Sequence, residues 1–150
     1  MSRTALILIA AGGSALLLAG AYLFQVLGWQ PCAMCLWQRW PHFAAVGIGV
    51  LALAVRGPVL PALGALAAAA TAGIGVYHSG VERKWWEGPS SCTGTGGLDG
   101  LSGADLLSTD APALVLCDTF TPFFAGLSMA NWNAVFSALL VLVWIAAARR

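Results

Sequence analysis

Cys32 and Cys35 form a C-x-x-C pair, with Arg39 one helical turn beyond Cys35, in a chain that is almost wholly apolar on either side. Two thiols at that spacing can bridge. A helix beginning just after them favours the thiolate through unpaired N–H groups and the helix dipole. Pro31 biases Gln30 away from helical backbone, so the pair is expected to begin a turn rather than lie inside a helix. Cys92 and Cys117 follow, about 25 residues apart. Four cysteines allow three pairings, and the spacing favours Cys32–Cys35 with Cys92–Cys117. The later pair has two readings. As a staple, a bridge closing a loop of about 25 residues contributes roughly 3–3.5 kcal/mol. As an exchange site, Cys92 sits in the run Pro89-Ser-Ser-Cys92-Thr-Gly-Thr-Gly-Gly and is expected to be exposed, while Cys117 follows an apolar run. An incoming thiolate would then attack Cys92 and expel Cys117. A Cys₄ zinc site would need four clustered thiolates, and a second C-x-x-C is missing.

Arg39 is either a snorkelling anchor at a membrane edge or a cation beneath the Cys35 thiolate. His42 and His78 fall at the ends of apolar stretches. Each reads alone as a helix-end residue, and together they leave open a bis-His haem. No C-x-x-C-H attachment motif exists, because Leu36 follows Cys35.

These residues must be positioned by helices in a membrane. Charged residues make up 9% of the chain and apolar ones 59%, against about 25% charged in an ordinary soluble domain. No Asp, Glu, Lys or Arg occurs in 4–38, 40–55, 57–81 or 119–148. A span needs about 20 apolar residues, which places four at Thr4–Leu27, Trp37–Val55, Val59–His78 and Leu127–Ala147. The fold class is therefore an all-α, four-helix transmembrane bundle forming one domain, with outer loops at about 28–36 and 79–126. A soluble core of this size could not hide four such stretches. Ala19-Gly20-Ala21 resembles a signal-peptide cleavage site, yet the apolar run continues to Leu27, so the first segment is read as retained.

Arg3, Arg56, Arg149 and Arg150 fall at the termini and the 2–3 turn, while all six acidic residues lie in the 3–4 loop. The positive-inside rule puts both termini in the cytoplasm and every cysteine outside, where disulfides form. Trp29, Trp37, Trp40, Trp85, Trp86 and Trp132 mark the outer boundary, with Trp144 near the inner one. Gly47-x-Gly49 and Gly73-x-Gly75 suit close helix approach. Pro41 implies that the second helix starts near it or kinks there. In the long loop, Ser102 is expected to cap a short amphipathic helix around Ala104–Leu107.

The run Cys32-Ala-Met-Cys35-Leu-Trp-Gln-Arg39 resembles the C-x-x-C-x-x-x-R signature of the DsbB family, quinone-reducing disulfide generators of bacterial inner membranes. The likeness extends over the whole chain, through Tyr77-His78 at the end of the third span and Gly126-Leu127-Ser128-Met129 opening the fourth. The chain departs from the family in lacking a Trp between Cys117 and Gly126. The resemblance implies that Cys35 meets the quinone (ubiquinone or menaquinone), with Cys32 its disulfide partner. It further implies that Cys92 forms a mixed disulfide with a periplasmic, thioredoxin-fold DsbA-like oxidant and that Cys117 passes electrons to Cys32. Arg39, and less directly His78, would contact the quinone. No nucleic-acid partner is expected. The rival class is a non-enzymatic membrane scaffold with structural disulfides, or a haem-binding bundle.

Overall fold

The computed structural model describes residues 1–90, 92 and 115–150, and its long elements are four helices. They are α1 (Arg3–Val26), α2 (Ala33–Ala54), α3 (Val59–Glu82) and α4 (Met129–Ala148). The short helix expected around Ala104–Leu107 lies outside the described residues.

Three of the helix starts are capped by a side chain that accepts a first-turn N–H: Ser2 from Ala5, Cys32 from Cys35 and Ser128 from Asn131. Such caps satisfy donors that have no partner within the helix. At α3, Pro58 stands at the cap and Pro61 in the first turn, where a missing N–H costs nothing. At the far end of α2, Arg3 donates to Ala52 O at 3.1 Å, Val55 O at 3.3 Å and Gly57 O at 3.0 Å, covering carbonyls the helix leaves open.

Two boundaries differ from the expected spans for physical reasons. α2 begins at Ala33, because the Cys32 thiol itself serves as the cap, and it continues through Pro41. Cys35 therefore lies in the first helical turn, ahead of the stretch 37–55. α3 runs past His78 to Glu82, whose carboxylate accepts from Ser128 across the bundle.

Each helix packs on two neighbours in the cyclic order α1–α2–α3–α4, with α1 and α3 barely meeting across the diagonal. One end of the bundle is apolar, built from Ile7, Ala10, Ala52, Ala68, Leu140 and Trp144. Trp144 is fully buried there rather than sitting at an interface. A Cβ on Gly64 would come within 2.6 Å of its indole, so α3 can approach α4 only with glycine at that position. Gly49 and Gly75 likewise face Ala11 and Ala134, whereas Gly47 and Gly73 point to open space. One glycine of each expected pair therefore carries the helix contact.

α1, α3 and α4 are long and apolar enough to cross a membrane. α2 is less apolar because Gln38, Arg39 and His42 occupy its first half, and all three are buried. Leu8, Leu16, Val50, Leu66, Leu139 and Leu142 face outward and exposed. Apolar residues on every helix face, polar ones inside, is the arrangement that hydrocarbon surroundings demand.

Candidate functional site

The opposite end of the bundle holds sulfur and polar groups. Cys32 and Cys35 are free thiols with Sγ atoms 2.8 Å apart. Cys92 and Cys117 are joined in a disulfide. Cys32, Cys92 and Cys117 share one buried cluster with Met34 and Val81, and Cys35 packs against it. All four cysteines predicted to carry chemistry are thus brought to one place.

Cys92 is not exposed as its Ser- and Gly-rich neighbours led one to expect; it is only 2% accessible. Its N–H donates to Pro89 O at 2.8 Å, and its carbonyl accepts from Cys117 N at 2.7 Å. This local turn seats the apolar disulfide on Met34 and Val81, a contact that loop composition does not reveal.

The two free thiols are inequivalent. Cys32 holds its proton more tightly than an ordinary thiol, first because it donates to Cys35 and then because burial disfavours its charge. Receiving that hydrogen bond holds Cys35 below the usual thiol range, with Arg39 adding a smaller effect in the same direction. The hydrogen bond between the two thiols therefore favours Cys35 as the thiolate.

Arg39 is only 8% exposed, so it is not a snorkelling side chain. It donates to Gln25 Oε1 at 2.7 Å and Ala21 O at 3.4 Å, and its guanidinium lies 4.5 Å from the Tyr22 ring centre. These contacts hold it in the wall of a cavity of about 410 Å³ between α1, α2 and α4. Cys35, Gln38, His42 and Asn133 share that wall. Most of the rest is apolar, including Leu17, Phe24, Trp29, Phe123 and Phe136.

The roof of the cavity comes from the segment before α4. Ala125 and Gly126 both take left-handed backbone, with φ of 51° and 73°, in a tight turn that pairs Phe124 with Leu127. This turn lays Phe123 edge-on against Phe24 at 5.1 Å and Trp29 at 6.1 Å between ring centres.

The two histidines have different surroundings. His42 lines the cavity, donating from Nε2 to Asn133 Oδ1 at 2.9 Å, and its buried Nδ1 has no hydrogen-bond partner among the described residues. His78 is not in the cavity wall; its Nε2 lies 3.6 Å from Cys32 Sγ and its Nδ1 2.9 Å from Gln38 Nε2. Their ring nitrogens face different partners, His42 toward Asn133 and His78 toward Gln38 and Cys32. The Cys92–Cys117 bond removes a Cys₄ zinc site. Cys32, Cys35 and His78 do place three ligand atoms within 4.8 Å of one another. A metal on His78 Nε2 would need that nitrogen bare. His78 Nδ1 lies 2.9 Å from Gln38 Nε2 on the other side of the ring.

Glu82 and its neighbours close the same end of the bundle as the cysteines. Glu82 Oε1 is 3.9 Å from His78 Nε2, and Asn131 bridges α4 to α3 by donating to Ser79 and accepting from Arg83 at 2.9 Å. Gln38, Asn133, Thr71 and Glu82 carry no sequence motif. Only their polarity inside apolar helices could have flagged them.

The family model described as "Disulfide bond formation protein DsbB" matches residues 2–147. A disulfide bond formation protein B from Verminephrobacter eiseniae (strain EF01-2) is 34% identical over 155 residues, covering 96% of this chain and 84% of that protein. One from Azoarcus sp. (strain BH72) is 32% identical over 150 residues, covering 91% and 87%. No solved structure gives a significant match.

Proposed function

We propose, from the premise that this chain belongs to the DsbB family of membrane proteins in disulfide bond formation, that it is a dithiol:quinone oxidoreductase. It reoxidises a DsbA-like, thioredoxin-fold partner and passes the electrons to ubiquinone or menaquinone in a bacterial inner membrane. The observation that carries this reading is the apolar cavity whose wall holds both Cys35 and Arg39. A quinone ring with an isoprenoid tail matches those apolar walls, and its carbonyl oxygens match the Arg39 donors. A bound quinone would supply a two-electron sink.

The chain's own residues account for the remaining steps. A partner thiolate attacks Cys92, breaking the Cys92–Cys117 bond and leaving the electron pair on Cys117. Because Cys92 is buried, its turn must lift from Met34 and Val81 for the partner to enter. Cys117 attacks Cys32 of an oxidised Cys32–Cys35 pair and expels Cys35 as thiolate. Cys35 is the better leaving group of the two, since its charge is favoured by the Cys32 hydrogen bond and by Arg39. Arg39 and the aromatic roof keep water away from the sulfur and orient whatever occupies the cavity. The partner's second thiol then attacks the mixed disulfide and leaves as oxidised partner, freeing Cys92 as thiolate; Cys92 attacks Cys117 of the Cys117–Cys32 bond, re-forming Cys92–Cys117 and releasing Cys32. The charge distribution, read with the positive-inside rule, supports an orientation with both termini in the cytoplasm and the cysteine end in the periplasm.

The test is thiol-dependent quinone reduction by purified protein in lipid. We expect wild-type turnover and its loss in Cys35→Ser. Full activity in that variant would overturn the assignment. An inert scaffold would leave the reduced partner reduced.

A further inference from the structure

Hydrogen bonds run from the cavity to the sulfur pair, and their direction can be assigned link by link. Gln38 Nε2 lies 3.3 Å from Met34 O, an atom that only accepts, so the amide nitrogen faces that side. Gln38 Oε1 then accepts from Asn133 Nδ2 at 2.7 Å. The Gln38 nitrogen also lies 2.9 Å from His78 Nδ1, which must be the bare ring nitrogen, leaving the hydrogen on Nε2, which lies 3.6 Å from Cys32 Sγ and 3.9 Å from Glu82 Oε1, with the Cys117 backbone also bonded to the ring.

Asn133 is oriented independently. Its Nδ2 reaches Thr71 O at 3.4 Å and Thr71 Oγ1 at 3.1 Å, while the Thr71 hydroxyl hydrogen goes to Gln38 O at 3.1 Å. Asn133 Oδ1 therefore accepts from His42 Nε2–H. At the other end, Cys32 lies against Cys35.

We propose that His42, Asn133, Gln38, His78 and Cys32 form a hydrogen-bond chain of single direction, every donor pointing toward Cys35, in which Gln38 is the positioning residue that makes His78 a donor. Both ends of the chain reach the cavity, because His42 and Cys35 line it. Successive hydrogen bonds in a dry interior polarise one another. The S–H of Cys32 thus arrives at Cys35 already polarised by the bonds behind it, and charge left on Cys35 when the pair is reduced is better held.

The purpose of this chain rests on the thiol:quinone reading, but its geometry does not. Other charged or titratable groups bearing on the pair are Glu82 of α3 and Arg39 of α2. Tyr22 of α1 is turned toward Arg39, and α4 contributes Asn133, which does not titrate. None of these is altered by the variants below except Asn133.

The chain has two histidines, so nitrogen-15 NMR of histidine-labelled, reduced protein reads both tautomers directly, and His42→Phe assigns the signals. We expect hydrogen on Nε2 and a bare Nδ1 at His78. In Gln38→Leu the His78 tautomers should mix, and the pH midpoint of Cys35 alkylation should rise by about one unit, or roughly tenfold less thiolate below it. Asn133→Leu, which does not touch His78, should move the midpoint the same way and keeps the test alive if Gln38→Leu does not fold. Hydrogen on Nδ1 of His78 in the wild type overturns the proposal, as does an unmoved midpoint in folded variants. Partner-dependent quinone reduction by the wild type is read separately. Turnover with an unmoved midpoint sinks the chain alone, whereas no turnover with a shifted midpoint sinks the enzymatic reading alone.

Discussion

Replacing Arg39 tests the cavity most sharply, because the structure separates what the side chain does for folding from what it offers a ligand. A guanidinium has five N–H donors. Arg39 directs donors to Gln25 and Ala21 and lies over the Tyr22 ring, and it also lines the cavity. A hydrogen bond from a charged donor contributes roughly 1.5–3 kcal/mol. At about 1.4 kcal/mol per decade, Arg39→Met should lower kcat/KM for quinone by about 10- to 150-fold. The effect should fall mainly on KM if the same bond is made before and during electron transfer. Met retains length and apolar contact, so the loss is chiefly that of the donors. It also leaves Gln25 Oε1 unpaired, and the double variant Arg39→Met with Gln25→Leu should recover stability without recovering KM. Arg39→Lys keeps the charge but not the fork that spans Gln25 and the cavity, and should fall between. The assay is steady-state quinone reduction at fixed reduced partner, with thermal unfolding as a folding control. Unchanged kcat/KM in folded Arg39→Met would refute the reasoning and reduce Arg39 to a structural link between α1 and α2.

Further outcomes follow from other parts of the fold. Cys117→Ser should accumulate a covalent complex through Cys92 when mixed with an oxidised thioredoxin-fold partner, identifiable by mass spectrometry. No adduct, or one through Cys32, would contradict the proposed entry point. Gly64→Leu should drive a side chain into Trp144 and destabilise the α3–α4 contact by about 1–3 kcal/mol, the usual cost of overpacking, visible as a lower unfolding midpoint in detergent. A Gly73→Leu control, at a glycine facing open space, should leave that midpoint nearly unchanged.

Much of the site was legible because its chemistry is local in sequence. Cys32, Cys35 and Arg39 lie on one helix start, so their spacing nearly determines their mutual geometry. The long uncharged stretches likewise located the helices, since length and polarity are properties of the segment alone. What stayed hidden depends on how each helix is rotated about its axis. His42 and His78 look equivalent in the chain, yet one lines the cavity and the other meets Cys32. Trp144 follows the same rule: its place near a helix end was readable, its burial against Gly64 was not. Cys92 shows the opposite limit. Its neighbours are small and polar, but its own sulfur is apolar and seats with Cys117 on Met34 and Val81. Gln38 and Asn133 form one network only because α2 and α4 bring together residues far apart in the chain.

On the proposed function, reducing equivalents enter at Cys92–Cys117 and leave beside Arg39 through Cys35. An anaerobic titration measures this most directly: reduced partner is added to oxidised protein in quinone-loaded liposomes, and partner dithiols lost are counted against quinone consumed. One quinone consumed per dithiol oxidised, with oxidation stopping after the protein's own disulfide equivalents when quinone is left out, is the predicted result. Partner oxidation that continues without quinone, or quinone that stays oxidised while the partner turns over, would contradict it.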